Sequence, residues 1–182
     1  FQRKPQPERR RAEARKRGEF FSTYYAFHRL VDDFTDGDAE LPETAKSRQE
    51  YVEQRLSFAL KPANPRDQAD YALLLCYMLS EQLGFDVKEE TTCILNSMLF
   101  DAKRAESAER TGKGIIFPAA ELYYHFNLLD AKGTIRAMLK FFGDDPEKFA
   151  VLEKAGTADR TKLSSSDLAQ DLKKGIINIP AE

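Results

Sequence analysis

LVDDFTDG at residues 30–37 and SSSDLAQDLKKG at residues 164–175 carry aspartates at the same spacing, Asp32 to Asp36 and Asp167 to Asp171. At helical pitch a separation of four sets both carboxylates of a pair on one stripe, one turn apart. Two such stripes facing each other across a helical cavity make a mouth able to hold several magnesium ions and, through them, a diphosphate. The reading requires helices at both places, and the chain around them supplies helical signals throughout.

The first helix is expected from about Pro7 to Asp36, stopped by Gly37. A second starts after Leu41 with Pro42 in its first turn and runs to about Leu60; a third opens at Asn64-Pro65 and ends at Gly84. Asp86 followed three residues later by Glu89 has the form of a capping box and starts a fourth, which continues towards Arg104. Residues 105–116 break the pattern and read as an exposed, flexible loop. A fifth helix spans Pro118 to Phe142 before Gly143, a short sixth about Pro146 to Ala155, and a seventh carries the second aspartate pair to Gly175. Strand-type alternation is confined to GIINIP at 175–180, too short for a sheet. The expected class is all-α, a single antiparallel helical domain over residues 1–182, a central cavity flanked by the two aspartate motifs.

Composition narrows the function. The 182 residues suffice for one domain with a sizeable core, and 28 Lys and Arg against 30 Asp and Glu offer no overall attraction to a polyanion, so nucleic acid is disfavoured. The basic run RKPQPERRRAEARKR at residues 3–17 reads as a solvated helix end, with contact to phosphates or an anionic membrane as the alternative. Cys76 and Cys93 lie in apolar helical patterns without metal-ligand spacing and read as buried thiols in a reducing compartment. No apolar run reaches the ~20 residues that span a bilayer and no signal-peptide pattern opens the chain, which reads as cytoplasmic. Beginning at Phe1 and stopping at NIPAE, it reads as a segment of a longer protein, incomplete at both ends.

On a helical wheel of residues 20–36, Phe20, Tyr24, Phe27, Val31 and Phe34 form a core stripe. Phe21, Tyr25, His28, Arg29, Asp32 and Asp36 fall on the far side within an arc of roughly 100°. So many aromatics among charges suit a cavity wall better than a solvated surface. Asp32, Asp33 and Asp36 have a plainer reading as acidic residues on an exposed helix end. Against it, negative charge at a helix carboxyl terminus opposes the dipole at up to ~1 kcal/mol per group, a cost that bound cations remove. Hard oxygen ligands suit Mg²⁺, which completes its shell from water and phosphate.

These residues also carry a resemblance. YAFHRLVDDFTDG at 25–37 resembles the first aspartate-rich motif of the squalene/phytoene synthase family, and DLAQDLKKGIINIPAE at 167–182 resembles the second. SMLFDAKR at 97–104 is similar to the family's Gly-Met-x-x-Asp segment, and YYHFNLLDAKGT at 123–134 sits where the family has a Tyr-Cys helix with small residues and a glycine. The order holds from about residue 20 to the end. The departures are Leu163 where the family has a metal-binding Asn, Ser166 for Arg, and Ile176 and Asn178 for Arg and Tyr. Leu129-Asp130 replaces a small Ala-Gly pair, and Asp130 and Lys132 beside an apolar cavity need partners or must turn away. This pattern describes a divergent or truncated member of the isoprenoid synthase type.

The resemblance implies Mg²⁺-dependent head-to-head condensation of two prenyl diphosphates, with NADPH entering if a squalene-type reduction follows. Asp32, Asp33, Asp36, Asp167 and Asp171 would bind the metal, and Asp32, Asp36, Asp167 and Asp171 would thereby serve catalysis. Arg29 would contact the diphosphate, and Phe21 and Tyr25 would face the allylic cation. His28 is a wall or core imidazole, or a proton-transfer group; Asp101 faces the cavity as the family motif suggests, or pairs with Lys103 or Arg104. An apolar product would bring the protein to a membrane surface peripherally. Two other readings stand beside this one: a non-catalytic helical binding or assembly protein that keeps the synthase fold, favoured by Leu163, Ser166 and Ile176, and a helical prenyl-transfer or cyclising enzyme with head-to-tail chemistry. Prenyl chain length, product and oligomeric state are not fixed by the residues.

Overall fold

A computed structural model describes residues 7–173 and 177–180, without the side chains of Asp167 and Gln170. Every regular element among them is helical: α1 Pro7–Asp36, α2 Arg48–Leu60, α3 Gln68–Leu83, α4 Lys88–Thr111, α5 Ala119–Tyr123, a π-helical segment Tyr124–Ala131, α6 Lys132–Phe142, a 3-10 turn Pro146–Lys148 and α7 Phe149–Lys173. The class is all-α. No helix among the described residues is long and apolar enough to cross a membrane.

α1 has the expected bounds. Its first half projects an arginine-rich surface held by Arg15–Glu19 and Arg17–Glu13 pairs four residues apart. Its second half buries Phe20, Phe27 and Val31 against Leu73 and Cys76 of α3 and Leu95 and Ala102 of α4. Gly37, at φ +77°, ends it in a left-handed turn, and Asp33 O accepts from the amides of Asp38 and Ala39.

Three boundaries differ from expectation, each for a local reason. α2 begins at Arg48 rather than near Pro42, because the Ser47 side chain caps it by accepting from the Glu50 amide at 3.1 Å. Asp67 does the same for α3 through the Asp70 amide, so that helix starts beyond Asn64-Pro65. α4 does not stop near Arg104: residues 105–111 are helical, with Ala105 and Ala108 buried and partners for their polar neighbours on α2. There the Gln49 amide donates to Glu106 at 3.0 Å and Arg48 pairs with Glu109 at 2.9 Å.

The expected sixth and seventh helices are one, α7. Gly156 lies inside it, where a Cβ would stand 2.6 Å from Ile135 Cδ1 and 3.3 Å from Ala131 Cβ. The glycine reads as a close approach of α7 to α6, not as a stop. The fifth helix has its expected extent but changes register to π over Tyr124–Ala131. Gly175 and the start of GIINIP lie outside the described residues, and residues 177–180 form no strand. Cys76 is fully buried, which pushes its thiol up to about 12, whereas Cys93 is only half-buried; both are free.

Buried charge ties the bundle. Arg55, with no exposed side-chain surface, pairs with Asp67 at 2.5 Å and with the equally buried Asp70 at 2.9 Å, and lies over the Tyr51 ring. Arg66 closes on Asp70 at 2.9 Å. Asp70→Ala leaves the buried Arg55 with the partly exposed Asp67 alone and is expected to cost about 1–3 kcal/mol in urea unfolding. A loss under about 1 kcal/mol would show that the network is solvated.

Candidate functional site

The far face of α1 is one wall of a cleft of about 500 Å³. Of the arc read from the wheel, Phe21, Tyr25, His28, Arg29 and Asp32 line it and Asp36 does not; Tyr24, expected in the core stripe, joins them. The opposite wall is α4, through Ile94, Ser97, Met98 and Asp101; Asp130 of the π segment, Ala137 and Met138 of α6, and Arg160 of α7 complete it. From Phe21 to Asp32 the helix rises about 16 Å, so the cleft passes from aromatic and apolar to charged along its length. Phe21 and Tyr25 keep 41% and 64% of their surface exposed, unusual for aromatics without a partner surface.

Each carboxylate at the charged end has a guanidinium. Arg29 holds Asp32 at 2.9 Å and Asp33 at 2.6 Å. Arg104 holds Asp101 at 2.5 Å, and Arg160 pairs with Asp130. Asp101 thus faces the cleft and pairs with Arg104, both expectations at once. Lys132 turns to Glu89 at 3.2 Å, so the two charges placed beside the cavity by sequence are compensated.

The balance differs from group to group. Burial raises Asp32, Arg29 draws it down, and Asp101, Asp33 and Asp130 push it up again, leaving it above the ordinary carboxylate value. Burial also raises Asp130, which Arg160 only partly offsets. Asp101 goes the other way: burial works to raise it, but its contacts with His125 and the Arg104 guanidinium outweigh burial and hold it low.

Asp36 borders a neighbouring cleft of about 490 Å³, together with Thr35, Arg48, Lys113 and, from the end of α7, Leu172 and Lys173; Asp101 borders both clefts. The ends of α1 and α7 therefore meet at one opening. Asp171, one residue before Leu172, accepts from the Asn178 side chain at 3.0 Å. The Asp167 side chain lies outside the described residues. Among the described residues no three acidic, histidine or cysteine side chains are gathered as a metal site. The donor type fits Mg²⁺: Asp32 offers a carboxylate with 39% of its side chain exposed, although Arg29 already occupies part of its charge.

Ser97, Asp130 and Arg160 line the cleft and His125 lies buried behind it. Ser97 and His125 fall inside the segments that carry the resemblance without a signal of their own, Asp130 stands out in the sequence only by its charge, and Arg160 has no sequence signal. No known protein family, no curated protein and no solved structure matches the chain.

His28 is a buried wall residue. Its Nδ1 donates to Tyr24 O at 2.9 Å, fixing the tautomer, and its Nε2 is buried without a hydrogen-bond partner between the Tyr24 and Phe27 rings. Burial lowers its pKa from 6.5 to about 4, against a smaller opposing effect of the Tyr24 hydrogen bond. The unfolded imidazole takes its proton near 6.5 and the folded one only near 4, so this contribution is full above pH 6.5 and lost as pH falls towards 4. Wild type is expected to lose roughly 2–3 kcal/mol more than His28→Gln across that window in denaturant titrations. Parallel pH profiles would place the imidazole in solvent.

Proposed function

We propose that the cleft binds a prenyl diphosphate and that the protein is a magnesium-dependent prenyltransferase of the squalene/phytoene synthase type, joining two prenyl diphosphates head to head. One observation carries the reading: five of the six residues chosen from the sequence as a cavity wall line one cleft that grades from aromatic to charged over about 16 Å. A prenyl chain has the same gradient, apolar along its length and anionic at one end.

In this reading the tail lies along Phe21, Tyr24, Met98 and Met138, and the diphosphate reaches the end marked by Arg29 and Asp32. Arg29 is half-exposed and bridges two carboxylates, so it can turn one donor edge to phosphate while keeping a partner. Phe21 and Tyr25 present π faces to an allylic cation and keep water from it. Asp32, Asp33 and Asp36, with Asp167 and Asp171 from α7, would hold Mg²⁺, which supplies positive charge to the leaving diphosphate.

A second reading has its own support. With each cleft carboxylate already held by Arg29, Arg104 or Arg160, most of the site's negative charge is compensated without any ion, as in a cleft that binds a prenyl chain without reacting.

The two separate in one experiment. Under the enzyme reading, farnesyl diphosphate with Mg²⁺ raises the Tm more than either alone, pyrophosphate is released, and Asp32→Ala lowers release by ~10³ or more. Stabilisation without release in the presence of Mg²⁺ supports the binding reading. No stabilisation by farnesyl diphosphate, with or without Mg²⁺, overturns both readings as sites for a prenyl chain.

A further inference from the structure

One cleft group has no role so far. Ser97 and Asp101 lie four residues apart on α4 and face the same side, and His125 of the π segment enters between them. His125 Nδ1 is 3.2 Å from Ser97 Oγ, and His125 Nε2 is 3.4 Å from Asp101 Oδ1. The imidazole is 1% exposed. It stacks on Phe100 at 4.5 Å with 20° between planes, and Phe126 flanks it at 4.8 Å. Ser97 and Asp101 both line the cleft, so the chain of groups opens on it at both ends while its middle member is sealed.

The partners fix the protons. Asp101 Oδ1, which accepts no hydrogen bond in this geometry, lies 3.4 Å from Nε2, so we place the His125 proton on Nε2, facing the carboxylate. Nδ1 is then a bare lone pair. Ser97, whose hydroxyl can donate, points its proton at that lone pair and leaves its oxygen lone pairs towards the cleft. An oxygen so arranged can take a proton from the cleft while passing its own to an imidazole whose new charge is met by a carboxylate.

We propose that Ser97, His125 and Asp101 form the proton acceptor of this cleft. The assignment rests on the prenyl-transfer reading, since the carbocation formed when one prenyl unit loses its diphosphate and joins the second gives a neutral carbon skeleton by losing a proton, the second diphosphate staying on that coupled product. A C–H bond beside the cationic carbon breaks, and its electron pair forms the new carbon–carbon bond or double bond. The proton goes to Ser97 Oγ as the hydroxyl proton moves to His125 Nδ1, giving an imidazolium beside the Asp101 carboxylate. The relay resets by returning that proton to solvent once the product leaves. Ser97 is the catalytic residue here; His125 stores the proton, and Asp101 positions the ring.

The test joins a spectroscopic and a product measurement on the full chain. In ¹⁵N-histidine-labelled protein at neutral pH, His125 is expected as the Nε2–H tautomer, its Nδ1 resonance shifting in Ser97→Ala. With farnesyl diphosphate and Mg²⁺, Ser97→Ala should lower the carbon–carbon coupled product formed per pyrophosphate released by at least about tenfold, the cation being captured by water as alcohol. Ser97→Thr, which keeps the hydroxyl, should restore the ratio. A proton on His125 Nδ1, or an unchanged ratio of coupled product to pyrophosphate in Ser97→Ala, overturns the relay and leaves the prenyl-transfer reading standing. Absence of pyrophosphate release by wild type is a different failure: it removes that reading and, with it, the cation the relay would serve.

Discussion

Glu90 has no exposed surface, and a carboxylate can be buried on α4 only if cations are buried with it. Arg136 at 3.1 Å and Lys140 at 2.7 Å, one turn apart on α6, provide them. Arg136 reaches on to Glu89 and Glu147, and Lys140 donates to Asp86 O. This cluster fixes α6 in both position and rotation against α4. Gly133 shows how close the two helices come: a Cβ there would lie 2.9 Å from Glu90 O and 2.7 Å from Ile94 Cγ1. With α6 held this way, Thr134, Ala137 and Met138 face α1 across the cleft, and the preceding π turns carry His125 and Asp130 to its charged end.

The cleft exists because α1 has two faces of different chemistry. Phe20, Phe27 and Val31 bury one against α3 and α4. The other combines rings too large to tuck away with charges too costly to bury unpaired, so it stands off from α6 and α7. Arginine is the recurrent solution there. Arg29, Arg104 and Arg160 each come from a different helix, and each serves a carboxylate of the same cavity.

The arc on α1 was legible because an uninterrupted helix of 30 residues keeps its phase, so residues several turns apart are placed by spacing alone. The end at Gly37 was legible for a similar reason: left-handed backbone is a property of the residue itself. What could not be read depends on partners far along the chain. Residues 105–111 look like a loop until Arg48 and Gln49 are seen to take up Glu109 and Glu106. Gly156 looks like a stop until Ile135 and Ala131 are seen against it. The π register of Tyr124–Ala131 leaves no sequence period to detect, yet it delivers His125 to Asp101 and Asn127 to Thr157. Neither pairing follows from spacing along the chain.

That every cleft carboxylate is paired bears on how such a site would work. A fixed ion pair and a bound divalent cation solve the same electrostatic problem, and a site that holds arginines can rest with most of its charge compensated before any ligand arrives. Asp32 is raised by burial and by three neighbouring carboxylates, Arg29 alone opposes them, and more than a third of its side chain meets solvent. Asp101 is the opposite, held ionised by two partners on two elements. The cavity thus sets a carboxylate whose partner is easily exchanged close to one whose partners are locked. The first suits contact with an incoming charged ligand, because its present partner comes from its own helix and half-exposed Arg29 can share itself with an anion. The second suits a fixed reference charge, because moving it would unpair Arg104 and His125 together inside the protein. Such a division follows from the elements that supply the partners: α1 pairs within itself, while the Asp101 cluster spans α4 and the π segment.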